Sequence, residues 1–270
     1  MQFHRLLDYC VKQMGAGAQV RLEQIHEGAL NHNYCLKIDD RRYLVKQFIG
    51  NKWLPTKREA LFDLQMQLAA MNLAPKPLHL SQTKKTYIEQ WIEYQPLAFN
   101  ANDTEPSIEL LANSLHHIHS RDIDLDILDI PKHFNKYLKS IADPQRSWKK
   151  QAQQHIENWQ KYVERYQLDF VLCHNDLHLQ HIVPKQHLYL DWEYAAKGCR
   201  FFDLIACILS NQLPHDTAQG LIRRYIELGD IHREEVLQRV KALQPIVIFM
   251  HQLWWQACKA QLEKSKLKEK

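Results

Sequence analysis

The chain has 270 residues, 45% hydrophobic and 24% charged, a composition that excludes a disordered chain, a collagen and a coiled coil. No apolar run reaches the roughly 18 residues a membrane span requires, and no apolar stretch with a small-residue cleavage site opens the sequence, so a cytoplasmic protein without a membrane partner is expected. The net charge of +4 lies largely in the tail lysines Lys264, Lys266, Lys268 and Lys270, and the lack of a basic stripe interleaved with aromatics argues against nucleic acid.

Taken in chain order, apolar and polar residues alternate through Asn33 to Ile38 and through Tyr43 to Phe48, with Asp39, Asp40 and Arg41 between them, which predicts a β-hairpin. Lys57 to Met71 repeats its apolar residues at helical spacing and closes at Ala74-Pro75-Lys76-Pro77. A strand-like run follows from Tyr87 to Ile92. After Gln95-Pro96 the character changes. Thr104, Glu105 and Pro106 open a helix through His119, and helical patterns follow around Phe134–Ile141 and Trp148–Tyr166. Within this helical part, Val171–Cys173, Ile182–Val183 and Leu188–Leu190 read as short strands around polar loops. The expected organisation is α+β, with a β-rich lobe over residues 1–95 and a mainly helical lobe over 96–270. Six cysteines, with no CxxC pair, suit packed reduced thiols.

Chemistry concentrates in His174-Asn175-Asp176, with His181 five residues beyond the aspartate and Asp191 ten residues further on at a strand end. Such spacing suits phosphoryl transfer: Asp176 deprotonates a hydroxyl, while His181 and Asp191 hold magnesium on the phosphates. Magnesium keeps several waters, so two or three protein ligands suffice. Lys46, on an inner strand thirteen residues before Glu59 on the next helix, supplies the phosphate cation, with Glu59 as its partner. The segment from Glu27 through Gly28 to Asn31 is the turn where a phosphate-covering loop would lie. Only 7 glycines are present where about 7% usage predicts roughly 19, so Asn31 or backbone near Gly28 must replace a glycine cradle.

These residues, together with Arg58-Glu59-Ala60, Leu73-Ala74-Pro75-Lys76-Pro77, Ile118-His119-Ser120, Leu190-Asp191-Trp192-Glu193-Tyr194-Ala195 and Phe202-Asp203-Leu204, resemble the aminoglycoside phosphotransferase and choline kinase superfamily over most of the chain. Cys173-His174-Asn175-Asp176 looks like the choline kinase form of the loop. The Asp-Trp-Glu-Tyr-Ala and Leu-Ala-Pro-Lys-Pro segments look like bacterial thiamine kinase. The resemblance implies a protein-kinase-like bilobal fold and an ATP- and Mg2+-dependent kinase acting on the primary hydroxyl of a small cationic alcohol, choline or thiamine leading, with an aminoglycoside or other amino-alcohol as alternative. It implies Asp176 as base, Asp191 as chief metal ligand, Lys46 and Glu59 on the phosphates, and backbone near Gln90 and Ile92 on adenine. It also places Trp254 or Trp255 in the substrate pocket, with Asp176 and Glu193 adding negative potential. A monomer or homodimer is expected.

His181 departs from the family's asparagine. Either it accepts the metal through a water or a ring nitrogen, or Asp191 does most of the work, or the chain binds nucleotide without turnover, as a pseudokinase. A zinc hydrolase built on His174, His178, His181 and Asp176 is the third reading, ranked below these because it leaves Asp191, Lys46 and Glu59 without a role. His174 is expected to fix the loop through a backbone hydrogen bond. Asp203 is expected to accept amides at its helix N-terminus, and His116, His117 and His119 to be packing or solvent residues.

Overall fold

The computed structural model describes residues 2–27, 31–48, 57–141, 146–166 and 169–268, arranged as two compact units, Met1–Tyr94 and Gln95–Lys270. The first holds a five-stranded antiparallel sheet of β1 (Val20–Glu27), β2 (Asn31–Ile38), β3 (Arg41–Phe48), β4 (Pro77–Leu80) and β5 (Thr86–Gln90), in the order β1-β2-β3-β5-β4. The hairpin turn falls where the acidic pair predicts it. Asp39 takes a φ of 53°, which aspartate tolerates better than most residues, and its backbone amide donates to the Gln19 carbonyl at 2.8 Å.

Alternation assigns the two sheet faces. Tyr34, Leu36, Ile38, Val45 and Ile88 turn to one face, where Leu6 and Cys10 of helix α1 (Gln2–Met14) complete a core. Each such side chain contributes about 1.5–3 kcal/mol when fully buried. The opposite face carries Lys46, Tyr87 and Glu89 and packs against helix α2 (Arg58–Ala70), whose Phe62 meets Tyr87 edge-on and whose Gln65 donates to Glu89.

The second unit contains helices α3 (Glu105–His119), α4 (Ile130–Ser140), α5 (Arg146–Arg165), α6 (Arg200–Ser210), α7 (His215–Gly229) and α8 (Arg233–Lys268). Between α5 and α6 lie β6 (Val171–Cys173), β7 (Ile182–Val183), β8 (Leu188–Tyr189) and β9 (Ala196–Gly198), paired as β6-β9 and β7-β8. Helix α6 is buried along almost its whole length, because RFFDLIACILS carries apolar residues on nearly every side. All six cysteines are buried and unpaired with one another. No helix among the described residues is long and apolar enough to cross a membrane.

Candidate active site

The loop after β6 is seated on α6 from end to end. Asp203, fully buried, accepts the backbone amides of His174 at 2.8 Å and Asn175 at 2.7 Å. The amides it accepts are therefore those of the reaction loop, a correction to the expectation that it serves its own helix N-terminus. Ser210 at the far end of α6 donates its hydroxyl to Asp176 Oδ1 at 2.9 Å. Asn211 donates to the Leu177 carbonyl at 2.8 Å and accepts the Leu179 amide at 2.9 Å. With the amides of His174, Asn175 and Leu179 and the Asp176 carboxylate engaged, the loop is held in place, which is the condition for efficient proton transfer from a group bound beside it.

Asp203 is itself held. His119 Nε2–H donates to its Oδ2 at 3.1 Å, and His119 Nδ1 meets the Tyr225 hydroxyl at 2.6 Å. Burial alone would raise the Asp203 carboxyl, but the His119 hydrogen bond, the charges of His119 and His174 and the His174 amide leave it below its ordinary value. His119 is thus neither a packing nor a solvent residue; it props the carboxylate that seats the loop. His174 fills the role read for it, donating Nε2–H to the Leu190 carbonyl at 2.9 Å from a fully buried position.

Two backbone irregularities join the loop to the second acidic segment. Asn175 takes a φ of 61° and donates Nδ2–H to the Tyr194 carbonyl at 3.0 Å; Asp191 takes a φ of 64° at the start of the one-turn helix Trp192–Tyr194. Both residue types accept this left-handed region. His181 ends another single turn, Leu179–His181, and donates Nδ1–H to the Asp176 carbonyl at 3.1 Å. Its Nε2 lies 3.9 Å from Asp191 Oδ2, and burial pushes its pKa down to about 4. His181 therefore meets Asp191 through Nε2 and the Asp176 backbone through Nδ1. One carboxylate and one imidazole nitrogen make a two-donor set of the kind a largely hydrated divalent cation takes. The zinc set does not assemble: no three of His174, His178, His181 and Asp176 come within reach of one ion. Among the described residues the three-ligand group within reach of one ion is His119, Cys173 and Asp203, all buried.

Asp176 also lines a cavity of about 460 Å³ within the second unit. Its walls include Tyr137, Tyr194, Phe202, Met250, Trp254 and Trp255, with Asn175, His178 and Ser210 among the polar lining. Trp254 donates Nε1–H to the Tyr194 hydroxyl at 2.8 Å and stacks on Trp255, which is 53% exposed. No lysine or arginine lines the cavity among the described residues, and Asp176 is its only carboxylate. Burial lowers two of its imidazoles, His133 to about 4 and His251 in the same direction. Glu193 lies outside the lining and acts through its field: burial, then its charge, raises the Tyr194 phenol well above its ordinary value.

In the first unit, Lys46 is opposite Asn33 and Tyr87 on neighbouring strands. The Oδ1 atoms of Asn31 and Asn33 on the same face are buried without a hydrogen-bond partner. Glu59 corrects the expected pairing: its exposed carboxylate meets Lys84 at 3.3 Å, and its own backbone amide and Lys84 lower its pKa. The buried acid on the Lys46 face is Glu89, one diagonal step along β5. Gln90 donates its amide to the Lys76 carbonyl at 2.9 Å, and Ile92 follows beyond the strand. Gly28 lies outside the described residues.

The sequence pattern of the phosphotransferase enzyme family matches residues 21–243, well over half the chain. The chain belongs to this family. The phosphotransferase has no match among curated proteins, but its fold recurs in solved structures. The choline kinase LicA from Streptococcus pneumoniae matches 97% of this chain and 100% of its own at 16% identity and a TM-score of 0.69. LicA in complex with AMP matches at 19% identity, 95% and 90% coverage and a TM-score of 0.74. An aminoglycoside-3'-phosphotransferase of type VIII matches at 14% identity, 90% and 98% coverage and a TM-score of 0.65. The phosphotransferase accordingly falls in the aminoglycoside phosphotransferase and choline kinase superfamily and has its kinase-like fold, a small antiparallel sheet unit followed by a mostly helical one.

Residues that sequence reasoning passed over are Ser210, Asn211 and Glu89, with His119 misassigned. Only His119 carried a signal, as one of three histidines closing a helix, and the pattern does not say which of the three turns inward.

Proposed function

We propose that this phosphotransferase is a cytoplasmic kinase that transfers the γ-phosphoryl group of ATP to the primary hydroxyl of a small cationic alcohol. The observation that carries the reading is the cavity on which Asp176 opens: aromatic walls, no lysine or arginine among the described lining residues, and one carboxylate at the reacting position. Aromatic faces attract a quaternary or protonated amine by roughly 0.5–2 kcal/mol, and a volume of about 460 Å³ suits a compact ligand of choline or thiamine size. Asp176 accepts the hydroxyl proton, while the Ser210 hydroxyl on Oδ1 leaves Oδ2 to face the substrate oxygen.

A divalent cation held by Asp191 and His181, Mg2+ by resemblance, would neutralise phosphate charge as the phosphoryl group departs. Lys46 is the proposed phosphate cation. Asn31, through its amide NH2, or backbone near Gly28 is the proposed substitute for a glycine cradle. Gln90 and Ile92 are proposed at adenine. LicA, which shares the fold, has been solved with AMP, and the fold recurs in an aminoglycoside-3'-phosphotransferase. The test is ADP release from ATP with a divalent cation against choline, ethanolamine, thiamine and aminoglycosides. Turnover with a compact cationic alcohol, lost in Asp176→Asn, supports the reading; ADP-bound protein inert toward all of them favours the pseudokinase reading.

A further inference from the structure

We infer that His181 is itself a metal ligand through Nε2, and that the His181–Asp191 pair makes this site prefer first-row transition cations, in the order Co2+ over Mn2+ over Mg2+. The inference rests on the phosphotransferase reading of Asp191 and goes beyond it to the identity of the metal.

The proton on the imidazole is located by its partner. The Asp176 carbonyl, 3.1 Å from His181 Nδ1, can only accept, so Nδ1 carries the hydrogen and Nε2 keeps its lone pair. That lone pair points to the Asp191 side, 3.9 Å from Oδ2. An imidazole that gives its other N–H to a backbone carbonyl has the arrangement found in metal-bound histidines, where the second bond fixes tautomer and ring direction. The ring is confined: it stacks on His174 at 6.0 Å and meets His178 edge-on at 4.9 Å. The two ligand segments are also tied together, because the Leu190 amide donates to the His181 carbonyl at 2.8 Å, one residue before Asp191. Neighbouring ligands at 2.0–2.1 Å in an octahedral shell lie about 3 Å apart, so a movement of about 1 Å brings Nε2 and Oδ2 to that spacing.

Magnesium asks for oxygen in a near-ideal octahedron, and a nitrogen donor gives it little. First-row transition ions gain from imidazole and gain more along the series from manganese to cobalt. A site with asparagine at position 181 offers an amide oxygen and discriminates less between these ions.

The experiment is calorimetric titration of the full chain, loaded with ADP, with MgCl2, MnCl2 and CoCl2, together with pulsed EPR of bound Mn2+. The expected result is the order Co2+, Mn2+, Mg2+ in the unsubstituted protein, with a nitrogen coupling on Mn2+. His181→Asn is expected to lower Co2+ affinity roughly 10–100-fold, the scale on which even outer partners of a ligating imidazole act, to hold or raise Mg2+ affinity and to remove the coupling; His178→Asn keeps it. Mg2+ binding as tight as Co2+, or a nitrogen coupling that persists in His181→Asn, overturns the inference. Should His181→Asn not fold, labelling histidine with 15N in the unsubstituted protein decides: a coupling of 15N character supports the ligand, and its absence refutes it. Mg2+-driven ADP release without a nitrogen ligand sinks the inference and keeps the kinase. The metal order with no ADP release under any metal does the reverse.

Discussion

Asparagine at position 203 would separate the seating of the reaction loop from its chemistry. Asp203 has no exposure, and its two oxygens serve the amides of His174 and Asn175 and the ring of His119. An amide keeps one oxygen, which can stay with His174 and His119, and turns its NH2 toward the Asn175 amide, donor against donor. The loss is one hydrogen bond to a charged acceptor plus one unsatisfied buried donor, about 2–4 kcal/mol together. At about 2–4 °C per kcal/mol for a domain near this size, the melting temperature should fall by roughly 5–15 °C. Against a total of about 5–15 kcal/mol the chain remains folded at room temperature. Displacing Asp176 by about 1 Å costs on the order of 100-fold in rate, so kcat should fall together with Tm. The assay is differential scanning calorimetry beside initial-rate ADP release. Asp203→Asn with Tm within about 1 °C of the unsubstituted protein and unchanged kcat would refute the seating argument.

Further outcomes follow from the same geometry. Asp176→Asn keeps an oxygen for Ser210 at a partly exposed position, so ADP release should vanish while Tm, read by calorimetry, stays put. Trp254→Leu removes an aromatic face worth roughly 0.5–2 kcal/mol, or about 2- to 30-fold in KM for a cationic alcohol; a neutral isostere assayed in parallel should show no such change. His133 is held at about 4 by burial, below an unfolded value of 6.5. The unfolded chain therefore binds the extra proton between pH 6.5 and 4, and stability present in full above that window falls by up to about 3 kcal/mol across it. Urea denaturation at pH 7 and pH 4.5 measures this loss, and His133→Gln should reduce it, the rest belonging to other lowered histidines such as His181.

What the sequence disclosed, and what it hid, divides along local and distant pairing. The hairpin was legible because alternation and an acidic turn act over adjacent residues, and α6 because its apolar run is continuous. Helix α1 was not expected, although Leu6, Leu7, Cys10 and Met14 recur at helical spacing. Asp203 was legible as an amide acceptor but not as the acceptor of amides 28 and 29 residues away. Glu59 misled because spacing places an acid on the next helix without fixing which way it turns; Lys84 takes it, while Glu89 on β5 is the acid buried on the Lys46 face. The His-x-Asp loop and Asp191 were found because their spacing spans only 18 residues.

The seat of the loop and much of the cavity wall belong to different parts of the chain. Asp203, Ser210 and Asn211 hold positions 174–179 from α6 and its end, and α6 adds Phe202 to the wall, but Tyr137 comes from α4 and Met250, Trp254 and Trp255 from α8. Selection can therefore remodel the cavity by exchanging side chains on α4 and α8, leaving the seating of Asp176 undisturbed. On those terms α8 is where a redesign of the cavity should begin.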